Sequence, residues 1–190
     1  MKRFITALPA LAAFIVFAAI FASDAALAAD APVNITNAPS AKYELAPGGH
    51  AYFRPALGLK ASERFDGFES RSRRIEVIVA NINAPYDEID DGFTDAALMS
   101  EGVKALSRGL LRINGARGVL IKALHEDGRD RWGKWILLLE NGRDTLVVNG
   151  IFTAGDAPAS VDVMTMLKSV IPVKREETRG NEETSGDNKN

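Results

Sequence analysis

Between Val103 and Thr153 the apolar positions fall into four runs. Asn114-Gly115, Asp127-Gly128 and Asn141-Gly142 separate "VKALSRGLLRI", "GVLIKAL", "WGKWILLLE" and "TLVVNGIFT". Asn-Gly and Asp-Gly favour the left-handed backbone of type I′ hairpin turns, whose twist matches the flanking strands. The pattern predicts four strands joined by three tight turns, an antiparallel meander. Upstream, "RRIEVIVANIN" is β-branched and apolar on both faces, which predicts a strand in the interior of a sheet. "HAYFRPAL" and "LKASERF" are weaker strand candidates, and Pro55 makes the first an edge or a bend.

Two segments carry a helical period instead. In "APYDEIDDGFTDAALMSEG", Tyr86, Ile89 and Phe93 are spaced three and four apart and form one apolar face. Thr94 can cap a second short helix, which Gly102 can end. In "DAPASVDVMTMLKSVI", Pro158 suits a first turn, and Val163, Met164, Leu167, Val170 and Ile171 form an apolar stripe that Pro172 should stop. Strands, a helix pair, a four-strand meander and a final helix predict an α+β fold: an antiparallel β-sheet flanked by helices.

The ends have different compositions. "MKRF" is basic, "ALPALAAFIVFAAIFA" is apolar throughout, and Ala26-Leu27-Ala28 forms an A-x-A cleavage pattern. This is the organisation of a secretory signal peptide over residues 1–28, with export to the periplasm or the medium. The apolar run falls short of the roughly 20 residues that span a bilayer, and no membrane span is expected after cleavage. Residues 29–47 hold Pro32, Pro39 and Pro47 among small polar residues and read as a flexible linker. A single domain is expected over residues 48–174. The last stretch, 175–190, has no aliphatic or aromatic residue and reads as a disordered polar tail.

Charge and chemistry narrow the function classes. The 190-residue chain has a formal net charge of -2. Loss of Lys2, Arg3 and Asp24 with a signal peptide makes it more negative, without the basic field that general nucleic-acid binding requires. No cysteine is present, so an exported domain must stand on its core alone. "HEDGRD" offers His125, Glu126, Asp127 and Asp130, but a metal site needs three or four converging ligands, and the only other histidine is His50. The expectation is a polar hairpin tip with a strand-end histidine. "DEIDDGFTD" fails as a calcium loop, because Ile89 and Leu98 fall where carboxylate ligands belong. Asp87, Asp90 and Asp91 are expected to form the solvated side of a helix. There is no G-x-S-x-G elbow and no phosphate loop. No catalytic residue, metal or cofactor is therefore expected.

Two features suit a partner contact. "SRSRR" places Arg71, Arg73 and Arg74 together at the start of a strand, where they could meet an acidic partner or headgroup. Trp132 and Trp135 are three apart on one strand and should point to opposite faces, one into the core.

The segments "FDGF", "PYDEIDDGFTDAAL", "ING" and "KWILLLENGRDTLVVNG" resemble bacterial exported proteins of the PsbP-like fold, a group mostly of unknown function. The resemblance spans roughly Gly58 to Ile171 and rests on packing and turn motifs. It implies an α/β/α sandwich around an antiparallel sheet and no shared catalytic residues. Proteins of that fold serve as accessory or binding proteins, among them an extrinsic photosystem subunit, an envelope protein linked to phage adsorption and a Ran-GTPase regulator. The expected function is that of a non-catalytic exported accessory protein that binds a protein or cell-envelope component. A small-ligand or metal-binding module and a cryptic hydrolase are the alternatives.

Overall fold

Hairpin chemistry organises the structure, a computed structural model that describes residues 31–173. Val103–Ile113 (β7), Ala116–Asp127 (β8), Asp130–Asn141 (β9) and Asp144–Thr153 (β10) form the expected meander. Its turns are of two kinds. Ile113 pairs with Ala116, and both central residues, Asn114 and Gly115, have positive φ (50° and 86°), the type I′ pattern. At the other two turns the strands pair one residue later than expected. Asp127 faces Asp130 and Asn141 faces Asp144, so the central pairs are Gly128-Arg129 and Gly142-Arg143. Only the glycine of each pair has positive φ, the type II′ pattern. Asp127 and Asn141 are thus the last paired residues of their strands.

Earlier elements complete the sheet. Val33–Ile35 (β1), Glu44–Leu45 (β2), Ala51–Phe53 (β3), Lys60–Ala61 (β4), Gly67–Ser70 (β5) and Ile75–Ile82 (β6) precede two short helices. These are Tyr86–Gly92 (α1) and Asp95–Ser100 (α2); Ala157–Lys168 (α3) and Ile171–Pro172 (β11) close the described chain. Eight strands lie in the order β1-β7-β8-β9-β10-β6-β5-β4, antiparallel except that β1 runs parallel to β7. A second sheet has the order β11-β3-β2. The fold is α+β, with helices on both faces of a large, mostly antiparallel sheet. The expected signal peptide and polar tail lie outside the described residues.

Three expectations need correction. The stretch read as a linker, 29–47, includes β1 and β2, so the domain starts earlier than residue 48. Short apolar pieces such as "VNI" gain strand character only from a distant partner, here Leu111–Ile113. Pro172 does not stop the last helix. That helix ends at Lys168, where the Ser169 N–H and Oγ–H both return to helix carbonyls, and Pro172 pairs with Ala51. The buried face of α3 accordingly uses Ala159, Val163, Met166 and Leu167. Asp90 is not simply solvated: it is half-buried beside the Tyr86 hydroxyl and Arg108, and burial raises its pKa. Helix starts follow expectation. Thr94 Oγ1 accepts from Ala97 N–H, and Pro158 lies in the first turn of α3, where Asp156, a cap not anticipated, accepts from Ala159 N–H.

Strand alternation separates two cores. Leu137 and Leu139 join Leu146, Val148, Val163 and Leu167 under α3. Leu138 and Ile136 join Val119, Ile121, Tyr86 and Leu98 under α1 and α2. Arg117 fastens α1 to the sheet by pairing with Asp87 at 3.1 Å and Glu140 at 3.2 Å, with its guanidinium 5.2 Å from the Tyr86 ring centroid. The outer edge of β7 is covered by β1 at one end and broken by a bulge between Ala105 and Ser107 at the other, which discourages edge-to-edge pairing.

Charge pairing sets an acid limit. Hydrogen bonds from Arg64 and Arg117 hold the Glu69 and Glu140 carboxyls below their ordinary value of 4.5. A carboxyl depressed in the folded state stabilises fully above its unfolded pKa and loses that contribution as pH falls through the folded value. Asp90, raised by burial, works the other way and relaxes on protonation. Stability should therefore decline below pH 4.5. Urea midpoints measured against pH should show a shallower acid decline in an Arg64→Met, Arg117→Met double variant. An unchanged slope would rule out these pairs as its source.

Candidate binding face on the central sheet

The sequence of β6 and β10 is apolar on both faces, but burial is one-sided. In β6, Ile75, Val77 and Val79 are buried, while the alternating Glu76, Ile78 and Ala80 are partly exposed. In β10, Leu146, Val148, Gly150 and Phe152 are buried, while Val147, Asn149 and Ile151 alternate with them partly exposed. The registers explain this. α3 covers the first set, whereas α1 and α2 lie over β7, β8, β9 and the Thr145–Val147 end of β10, and leave Asn149, Ile151 and the neighbouring part of β6 less covered. Ile78, Ala80, Ile82 and Ile151 belong to neither core. Strands patterned for two covered faces thus have one that is partly bare.

Two polar residues interrupt this apolar strip. Lys134 on β9 pairs with Ile151 on one side and Ala123 on the other. It is half-buried, and burial lowers its pKa below the ordinary lysine value. Among the described residues, none forms a hydrogen bond or ion pair with its ammonium. Asn149 sits between Ile136 and Ile78, one diagonal step from Lys134, and its buried Oδ1 has no hydrogen-bond partner. Diagonal neighbours in such a ladder are about 7–8 Å apart, within reach of a lysine. Sequence reasoning did not single out either residue. The available signal was a lysine and an asparagine breaking apolar runs at alternating positions; only the register puts them side by side.

The strip is framed by charge. On one side Arg64 pairs with Glu69 and Glu76, with Ser62 also donating to Glu69. On the other, the Arg74 guanidinium lies 4.5 Å from the Trp132 ring centroid and 3.5 Å from Asp130. Such a stack contributes about 0.5–1 kcal/mol at an exposed site. Arg74 has a left-handed φ of 53°, ending the turn that leads into β6.

The expected contact residues are divided by the fold. Arg74 and Trp132 meet at the open face. Arg73 instead ties α3 down, pairing with Asp162 at 2.6 Å and donating to the Leu57 carbonyl at 3.1 Å. Arg71 is exposed near Glu69 at 3.5 Å. Trp135 lies on the opposite face, as its spacing from Trp132 requires. It packs on the α3 core, donates to Ser160 Oγ at 3.0 Å and has Lys122 over its ring. The "SRSRR" cluster is therefore not one basic patch.

"HEDGRD" is a hairpin tip. Glu126 pairs with Arg131 at 3.0 Å, both largely exposed, and His125 Nδ1–H donates to the Gly102 carbonyl at 3.0 Å. His125 thereby closes the end of α2 onto β8. Among the described residues, no group of three or more His, Asp or Glu side chains could hold a metal ion. No described helix is long and apolar enough to cross a membrane.

No family model matches the chain, and no curated protein matches it. Solved structures do. A protein of unknown function from Pseudomonas aeruginosa is similar at 14% identity and a TM-score of 0.46, over 63% of this chain and 97% of its own. A structure from Bacteroides thetaiotaomicron VPI-5482 is similar at 10% identity and a TM-score of 0.42, over 72% of this chain and 50% of its own. The cyanobacterial PsbP (CyanoP) of Synechocystis sp. PCC 6803 is similar at 15% identity and a TM-score of 0.45, over 65% of this chain and 86% of its own.

Proposed function

We propose that the protein is a non-catalytic, exported binding protein that engages a partner or cell-envelope component through the open half of the face shared with α1 and α2. The basic start, the apolar run and Ala26-Leu27-Ala28 support export to the periplasm or medium. The observation that carries the binding reading is the incompletely buried row of Ile78, Ala80 and Ile151, in strands whose sequence is patterned for burial. Apolar surface of this kind, rimmed by polar groups, marks interaction sites. The Arg74–Trp132 stack at its edge is of the aromatic and arginine type that anchors interfaces.

A photo-crosslinking side chain at Ile78 tests this in intact cells. An adduct should form at Ile78, should be absent from the exposed Val161 on α3, and should weaken with Trp132→Ala. Equal labelling at Ile78 and Val161, or none at Ile78, would remove the proposal.

A further inference from the structure

We infer that the open face binds an amphiphilic carboxylate, its anionic head on the Lys134 ammonium and its apolar body along Ile151, Ile78 and Ala80. The inference rests on the reading that this face is the binding surface, and it adds the ligand's chemistry.

Lys134 works against stability at its position. Its position on β9 shares a face with Ile136 and Leu138, and its cross-strand neighbours are Ile151 and Ala123. A cation withdrawn from water without a counter-charge is unfavourable, and an apolar side chain of similar length avoids that cost. The other cations framing the strip already have partners: Arg64 holds Glu69 and Glu76, and Arg74 holds Asp130. One ammonium is left over, which matches one negative charge. A dianion would meet one free cation with Glu69 and Glu76 nearby on the same face, so a phosphate head suits the site less well.

Asn149 completes the head site. Its amide has two N–H donors for the second carboxylate oxygen. Its unpartnered Oδ1 can accept from Lys134, whose three N–H groups allow it to bond the amide and a ligand together. From there the strip runs along β6. Ile78 lies beside Asn149 and Ala80 one strand step further, roughly 7 Å along β6, and the strip ends there, because Thr145 beside Ile82 is fully buried and donates to the Ala84 carbonyl.

The two tryptophans provide a direct test. Trp135→Phe leaves Trp132 alone to report on this face. In that background, octanoate should produce a saturable change in Trp132 fluorescence and a matching heat in calorimetry. Octanol should bind on the order of tenfold more weakly, and acetate should have no effect. Lys134→Met should weaken octanoate on the order of tenfold while raising the thermal midpoint of the ligand-free protein. Circular dichroism would show that each variant is folded. Absence of saturation at millimolar octanoate, equal binding of octanol, undiminished binding by Lys134→Met, or a lowered midpoint in that variant would each overturn the inference. If octanoate fails while the Ile78 adduct persists, the carboxylate assignment falls and the binding face stands; if both fail, both readings fall.

Discussion

Leu138→Ala is expected to lower the unfolding free energy by about 3 kcal/mol, with the loss felt first in the helix pair. Leu138 is fully buried and lies on the side of β9 that packs against Tyr86 and Leu98. Truncation removes transfer free energy and leaves a cavity that the sheet cannot close, because β8 and β10 hold the backbone on both sides. α1 and α2 have seven and six residues and too few internal hydrogen bonds to persist undocked. Hydrogen exchange should therefore lose protection across Tyr86–Ser100 before the meander loosens. Leu139→Ala should cost a similar amount but release α3, since Leu139 belongs to the opposite core. If both variants loosen the same helices, the two-core description is wrong.

Gly150→Val should cost about 2–3 kcal/mol, although valine is the better strand former. A Cβ built on Gly150 would lie 2.1 Å from Val163 Cγ1 and 3.4 Å from Leu167 Cδ1. α3 thus rests directly on the β10 backbone, and any side chain at that position must push the helix away. Val163 is fully buried in the core under α3. Gly109→Ala is the control: nothing lies within 4 Å of its Cβ, so the expected change is close to zero. Adding Val163→Ala to Gly150→Val should recover part of the loss, a positive coupling readable from urea midpoints. Strict additivity of the two changes would mean that helix-to-sheet packing is not the cause.

The candidate face was legible only in fragments. The apolar alternation of "RRIEVIVANIN" and "TLVVNGIFT" predicted strands correctly, but periodicity reports only that a face is apolar, not what covers it. Short α1 and α2 do not extend over β6, and that follows from where the β6-to-β7 connection crosses the sheet. The arginine cluster misled for a related reason. Adjacent residues in a turn project differently, so Arg73 reaches α3 while Arg74, at φ 53°, stacks on a tryptophan two strands away. The tryptophan pair was readable, because an odd spacing within one strand fixes opposite faces whatever the surroundings.

By itself the sequence determined the meander, the Thr94 cap, the opposite facing of Trp132 and Trp135, and the hairpin character of "HEDGRD". These depend on backbone preferences and near-neighbour spacing, which act within a few residues. The tertiary structure alone decided the parallel pairing of Val33–Ile35 with Leu111–Ile113, the seat of α3 on Gly150, and the placement of Lys134 one diagonal step from Asn149. Each of these needs a register between segments distant in the chain. That register is set by which set of alternating side chains is buried, a choice made cooperatively by the whole sheet and its helices.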